Sequence, residues 1–174
     1  MPRTLIVLVR EGPDVLTRIA SLCRRRAFVV ESLTIGRTEA PGMSRVTLFV
    51  DADQRGAHRL VANLERLVDV ARAEDVTDRP TVVRDLAMIK VAATPDSRAD
   101  IMQLVQVFRA RVVDVAADSL VIETTGTDDK VDGLLQVLRP FGVIEVARTG
   151  RLAMCRGGLG AAPEKAAGWT EARP

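Results

Sequence analysis

The chain has 174 residues, of which 47% are hydrophobic and 28% are charged. This length suits one ordinary domain or two small ones, and the composition is typical of a soluble globular protein. With 25 basic residues against 23 acidic ones, the formal net charge of +2 is too small to indicate a polyanionic partner by itself.

The chain opens with a short apolar run, TLIVLV at residues 4–9, which predicts a strand. The run ends at Arg10 and Glu11, is far shorter than a membrane-spanning helix, and lacks the cleavage site of a signal peptide. We therefore expect no membrane segment and a cytoplasmic location.

The first half of the chain predicts the order β-α-β-β-α-β. The predicted elements are a strand over 4–9, a helix from 15, strands over 28–39 and 44–51, a helix whose apolar face carries Ala57, Leu60, Val61, Leu64, Leu67 and Val68, and a strand over 68–76. Gly12-Pro13 and Pro41-Gly42 mark turns between them.

The same order recurs after residue 80. The predicted elements are a strand over 86–93, a helix marked by Ile101, Leu104, Val105 and Phe108, strands over 112–117 and 119–126, a helix marked by Val131, Leu134, Leu135 and Leu138, and a strand over 143–149. We therefore predict an α+β protein of two tandem ferredoxin-like units, in each of which two helices cover one face of an antiparallel sheet.

The predicted domains are 1–78 and 79–157, followed by a disordered tail over 158–174 in which Trp169 is exposed. Such small units usually need a partner to cover their remaining apolar surface, so we expect a homodimer.

The sequence offers no motif for catalysis, metal binding or nucleic-acid binding. His58, the single histidine, is predicted to lie at the surface, and Cys23 falls on an apolar helix stripe and is predicted to be buried. No glycine-rich phosphate loop or metal-ligand spacing is present. Aromatic residues make up only 3% of the chain, so nucleic acid is not an expected partner. The run Arg24–Arg26 is interpreted as a solvated helix end or as a partner contact.

Several segments together resemble one known family. They are VLVREGPDVLTRIASL, RRRAFVVESLTIGRTE, SRVTLFV, LVDVARAEDV, RDLAMIKV and DKVDGLLQVLRPFGVIEVARTGRLAMCRG. In this order and spacing they resemble the regulatory, or small, subunit of acetolactate synthase, also called acetohydroxyacid synthase. The resemblance covers residues 3 to about 157.

The resemblance implies an N-terminal ACT domain, a ferredoxin-like C-terminal domain and a homodimer. It also implies a separate catalytic (large) subunit, which carries thiamine diphosphate, Mg²⁺ and FAD and converts two pyruvate molecules to 2-acetolactate and CO₂. No cofactor or metal is expected in this chain itself. The small subunit raises catalytic activity in branched-chain amino-acid synthesis, and in many members it confers feedback inhibition by valine.

In such ACT domains the effector binds at the dimer interface, between two walls. The first wall is the loop Glu11–Leu16, and the second is the start of the following strand, Phe28–Ser32. An amino-acid carboxylate would bind the free N–H groups of a helix start, and glycine there would let the ligand approach the backbone. The candidate effector-binding residues are Glu11, Gly12, Pro13, Asp14, Val15, Leu16, Val29 and Val30.

This chain departs from the family pattern at these walls. Glu11 replaces the usual Asn, Asp14 replaces glycine, Val29 replaces Asn, and Ala27 replaces the preceding glycine. Two negative charges about 4 Å apart repel by about 4 kcal/mol at an effective dielectric of 20. Asp14 is also predicted to cap the helix, a contribution of about 1 kcal/mol. We therefore predict weak or absent valine inhibition with activation retained.

Three alternatives stay open. In the first, Asp14 is an ordinary helix cap and the effector site beside it is intact. In the second, the chain is a free-standing tandem ACT-type sensor of another small molecule. An autonomous enzyme would require turnover by the isolated chain. Co-purification with a catalytic chain separates the regulatory subunit from the free-standing sensor.

Overall fold

The computed structural model describes residues 2–157, which form two compact units. The first comprises the described residues up to Val82 together with those from Ala153, and the second comprises Val83–Leu152. The domain boundary placed at residue 78 stays a prediction, and the tail predicted over 158–174, with Trp169, lies outside the described residues. Within residues 2–157, no helix is long and apolar enough to cross a membrane.

The first unit is a four-stranded antiparallel sheet with two helices. Its elements are β1 (Pro2–Arg10), α1 (Val15–Arg25), β2 (Val29–Arg37), β3 (Met43–Asp51), α2 (Gln54–Leu64) and β4 (Val70–Asp75). The strand order is β2-β3-β1-β4. This is the ferredoxin-like arrangement that the sequence predicted.

The register of the first sheet fixes which segments share an end. At one end, Asp51 lies opposite Pro2 of β1 and opposite Val29 of β2. At the other end, Met43 lies opposite Arg10. The loop that leaves β1 therefore lies at the opposite end of the sheet from the start of β2.

Alternation along the strands places one set of side chains beneath the helices. The buried core on this face comprises Leu5, Val7 and Val9 from β1, Val46, Leu48 and Val50 from β3, and Val15, Ile19, Leu22, Cys23, Ala57, Leu60 and Leu64 from the helices. The other face carries Ile6, Leu8 and Phe49, which are buried too. Both faces of β1 are therefore buried, as its continuous apolar run predicts.

The second unit repeats the same topology. Its elements are β5 (Thr81–Ala92), α3 (Arg98–Val107), β6 (Arg111–Val115), β7 (Ser119–Gly126), α4 (Asp128–Leu138) and β8 (Val143–Arg148), in the strand order β6-β7-β5-β8. Its core includes Ile89, Val91, Ile101, Leu120, Ile122, Leu134 and Leu138. A short 3-10 helix over Arg139–Phe141 ends at Gly142, whose φ of 94° suits glycine.

A further strand, β9 (Leu152–Cys155), was not predicted, and it pairs with β5. Arg156 donates its backbone N–H to the Pro80 carbonyl at 2.8 Å. The Ala153 carbonyl accepts a 2.6 Å hydrogen bond from Arg45 Nη2 of β3. The chain thus returns to the first unit after completing the second.

The end of α2 also differs from the prediction. The helix stops at Leu64, so Leu67 and Val68 lie in the following turn, and Val68 is 76% exposed. Tighter bonds, from Arg66 N–H to the Asn63 carbonyl and from Leu67 N–H to the Leu64 carbonyl, replace the helical pattern. Leu67 still packs on the core, which explains its apolar character.

Candidate functional site

The first wall is an exposed loop anchored at both ends. Glu11 donates its backbone N–H to the Gly42 carbonyl at 2.9 Å, and Val15 is buried in the core at the start of α1. Between these anchors, Gly12, Pro13 and Asp14 are exposed. A Cβ on Gly12 would meet no atom within 4 Å, so this part of the loop is open to an incoming group.

Asp14 lies at the N-cap of α1, but its side chain makes no capping hydrogen bond. The prediction that Asp14 caps the helix was therefore wrong. Its backbone has φ of −99° and ψ of −8°, whereas side-chain capping requires an extended N-cap residue. The carboxylate is instead exposed beside the positive end of the helix dipole, which favours a negative charge there.

Glu11 is held by side chains at the far ends of β2 and β3. Its Oε1 accepts a 3.3 Å hydrogen bond from Ser44 Oγ and lies 3.6 Å from Arg37 Nε. The Arg37 guanidinium partly compensates the Glu11 charge, although both side chains are exposed enough for solvent to screen the pair.

The second wall begins with an unusual backbone conformation. Ala27 has a φ of 55°, a region that glycine adopts freely and alanine disfavours. The next side chain, Phe28, packs against the core, as does Val30. Between them, Val29 is 64% exposed. The second wall therefore offers an apolar side chain where the family pattern has an amide.

The two walls lie far apart within one chain. Val29 is in register with Pro2, at the start of β1, whereas the first wall follows Arg10, at its end. The intervening eight-residue step spans roughly 26 Å at about 3.3 Å per residue. One copy of the first unit therefore cannot bring the two walls together in a single pocket.

A separate exposed cleft lies at the start of α2. It is lined by Asp53, Arg55, His58 and Arg59. Asp53 caps the helix, since its Oδ1 accepts a 2.7 Å hydrogen bond from the Gly56 N–H. The prediction that His58 lies at the surface is confirmed. Neither Arg55 nor Arg59 was predicted from the sequence to be a functional residue.

No three His, Cys, Asp or Glu side chains within residues 2–157 are grouped to hold a metal ion. Cys23 is buried, as predicted, and desolvation raises the pKa of its thiol, which keeps it neutral. This environment suits a packing role for Cys23.

Family models match both units of the chain. A model described as the AHAS small subunit-like ACT domain matches residues 5–72. A second, described as the small subunit of acetolactate synthase, matches residues 84–157.

Curated proteins and a solved structure resemble the chain along most of its length. It is 43% identical to a probable acetolactate synthase small subunit of Archaeoglobus fulgidus, over 90% of this chain and 98% of the relative. It is 42% identical to the acetolactate synthase small subunit of Mycolicibacterium smegmatis, over 91% and 95%. The crystal structure of the Thermotoga maritima acetolactate synthase small subunit matches with a TM-score of 0.85 and 32% identity, covering 91% of this chain and 99% of that one.

Proposed function

Because the chain belongs to the family of acetolactate synthase small subunits, we propose that it is the non-catalytic regulatory subunit of this synthase. It binds and activates a large, catalytic subunit that uses thiamine diphosphate, Mg²⁺ and FAD to form 2-acetolactate from pyruvate. The observation that carries the proposal is the similarity to small subunits across both units of the fold. The complex serves branched-chain amino-acid synthesis in the cytoplasm.

The proposal includes a homodimer formed through β2. This strand is at the edge of the first sheet, where it pairs with β3 alone among the described strands. Leu33 and Ile35 of β2 are exposed apolar side chains on that edge strand. An edge with these properties favours pairing with another strand. Antiparallel pairing of two β2 strands would bring the first wall of each copy toward the second wall of the other.

The proposal also includes weak or lost valine feedback. A valine carboxylate on the first wall would meet the exposed Asp14 carboxylate, which no side-chain capping bond draws away. Glu11 adds a second negative charge, and its pairing with Arg37 removes only part of it. On the second wall, the side chain of Val29 offers no polar atom to the amino group of the ligand. Asp14, Glu11 and Val29 are therefore each expected to weaken valine binding.

Reconstitution tests the proposed function directly. The purified chain is added to the catalytic subunit of the same organism, and acetolactate formation is measured with and without valine, leucine or isoleucine. We expect a stable complex, a severalfold rise in turnover, and little loss of turnover with valine. Absence of any complex would favour the free-standing sensor, whereas micromolar valine binding in a calorimetric titration would refute only the proposed loss of feedback.

A further inference from the structure

Five arginines with exposed side chains lie at one end of the first unit. Arg24 and Arg25 form the last turn of α1 and Arg26 follows it, whereas Arg55 and Arg59 lie in the first turns of α2. We call these five residues the arginine surface. Within residues 2–157, none of their guanidinium groups takes part in an ion pair.

The fold brings the two groups of arginines to the same end. The helix α1 leads to the start of β2, and Val29 of that strand lies opposite Asp51, just before α2. The Phe28 ring is next to the first turn of α2, because a Cβ on Gly56 would lie 3.4 Å from its Cε1 atom. The end of α1 and the start of α2 therefore form one continuous surface, which includes the cleft at Arg55 and Arg59.

Positive charge at this end is poorly compensated. Asp53 uses Oδ1 to cap α2, and Asp51 is engaged in an interaction of its own. Several other arginines of the first unit are paired with acids, as in Arg18 with Asp69 at 3.1 Å and Arg79 with Glu74 at 3.0 Å. The N-terminus of α2 adds the positive end of its dipole, whereas the C-terminus of α1 brings the negative end of its own beside Arg24 and Arg25. The arginine surface is therefore a concentration of unpaired charge on a chain whose net charge is only +2.

We propose that the arginine surface docks onto an acidic surface of the catalytic subunit. This inference rests on the proposed function, which supplies the partner, and adds where the partner binds and by what chemistry. Guanidinium groups bind carboxylates through two parallel hydrogen bonds, and a patch of one sign steers an oppositely charged protein during encounter. A nucleic acid fits less well, because Phe28 packs on the core and, among the residues that line the cleft, only His58 offers a ring on which a base could stack.

The test compares charge variants in binding to the intact catalytic subunit, followed by interferometry at several salt concentrations. One variant changes all five arginines to glutamine, which removes the charge and keeps a similar helix propensity. A smaller variant, Arg55→Glu with Arg59→Glu, places acids at a helix start where the dipole tolerates them. The matched control, Arg66→Glu with Arg139→Glu, reverses two exposed arginines outside the arginine surface. Circular dichroism confirms that each variant is folded.

We expect at least tenfold weaker binding for both arginine-surface variants, mainly through a lower association rate, and a flatter dependence on salt. The control variant should bind within twofold of the unchanged chain. If the unchanged chain binds and activates while the arginine-surface variants bind equally well, the docking proposal is wrong and the proposed function stands. Binding of a short single-stranded DNA probe that depends on the same arginines, with no effect on the catalytic subunit, would also overturn it. If the unchanged chain itself does not bind the catalytic subunit, the proposed function fails.

Discussion

Asp14 and Asp53 occupy equivalent positions, each at the N-cap of a helix in the first unit, yet only Asp53 caps its helix. The backbone explains the difference, because Asp53 is extended, with ψ of 171°, whereas Asp14 has ψ of −8°. A side chain reaches the second or third N–H group of a helix only from the extended conformation. Residue type alone predicts a cap at both positions, but the loop conformation that decides between them is not visible in the sequence.

Removing the Asp14 charge should strengthen valine binding. In Asp14→Gly, the ligand carboxylate would meet free helix N–H groups without the repulsion, and we expect at least tenfold tighter binding in calorimetric titration, or about 1.4 kcal/mol. Asp14→Asn removes the charge but keeps the size of the side chain, and it should recover part of the gain in valine affinity. Asp100→Asn, which removes an exposed acid from the first turn of α3, should change nothing. Equal affinities for Asp14→Gly and the unchanged chain would show that the carboxylate does not repel the ligand.

Ala27 lowers the stability of the fold, because its φ of 55° is unfavourable for a residue with a Cβ. Ala27→Gly should raise the free energy of unfolding by about 1 kcal/mol, after allowance for the greater freedom of glycine in the unfolded chain. Urea unfolding measures this change. The control Ala62→Gly, at an exposed position inside α2, should lower stability by about 1 kcal/mol. A loss of stability in both variants would contradict the strain at Ala27.

At the scale of elements, β2 is an edge strand, and a single chain leaves some of its apolar side chains exposed. Its apolar residues Leu33 and Ile35 lie on the helix side of the sheet, opposite Leu48 and Val46, but remain partly exposed at the edge. The alternation in SLTIGRTE predicts the strand, and it was confirmed. The alternation does not reveal that the strand lies at an edge, because strand order depends on pairing between segments distant in sequence.

A charge on this edge should disrupt the proposed dimer. Ile35 is 40% exposed. The substitution Ile35→Glu would place a carboxylate in the proposed β2 interface. We expect Ile35→Glu to be a folded monomer in sedimentation velocity at concentrations where the unchanged chain is a dimer. Val107→Glu provides the control at an apolar residue that is 76% exposed at the end of α3. A dimeric Ile35→Glu variant would place the interface elsewhere.

Most helices and strands follow from periodicity, whereas β9 does not. The segment is only four residues long, Leu152–Cys155, which is too short for alternation to distinguish it from a loop. Its place is determined by the carbonyl of Ala153 and the amide of Arg156, both of which bind residues far away in the sequence. The end of α2 was missed for a related reason, because Leu67 continues the apolar pattern while the backbone has already turned.

At the scale of the whole molecule, the repeat of βαββαβ was predictable because each half carries its own apolar pattern. The return of the chain to the first unit was not, since it joins residues near 153 to residues near 45 and 80. The candidate effector site stays a prediction. Its two walls were recognised by resemblance, but only the strand register shows that one chain holds them at opposite ends.

Ala153, the buried residue of β9, allows a test of whether the chain returns to the first unit as described. Ala153 is fully buried, whereas its neighbour Met154 is 60% exposed. Ala153→Glu buries a charge without a partner and should lower the free energy of unfolding by about 3 kcal/mol. Met154→Glu, one position away, should change it by less than about 0.5 kcal/mol. Thermal unfolding of the two variants measures the difference, and similar stabilities would show that β9 is not packed as described.

Glu11 and Val29 lie at opposite ends of the first sheet, and this separation has a consequence for mixed dimers if the proposed dimer forms. Each of the two clefts would contain the first wall of one subunit and the second wall of the other. A first-wall mutation in one subunit and a second-wall mutation in the other therefore meet in one cleft, and the other cleft carries neither. Mixing a copy carrying Asp14→Gly with a copy carrying Val29→Asn would yield hybrids with one cleft that carries both substitutions and one unaltered cleft. Such a hybrid would take up a single valine per pair of chains, a half-of-sites stoichiometry that neither parent shows.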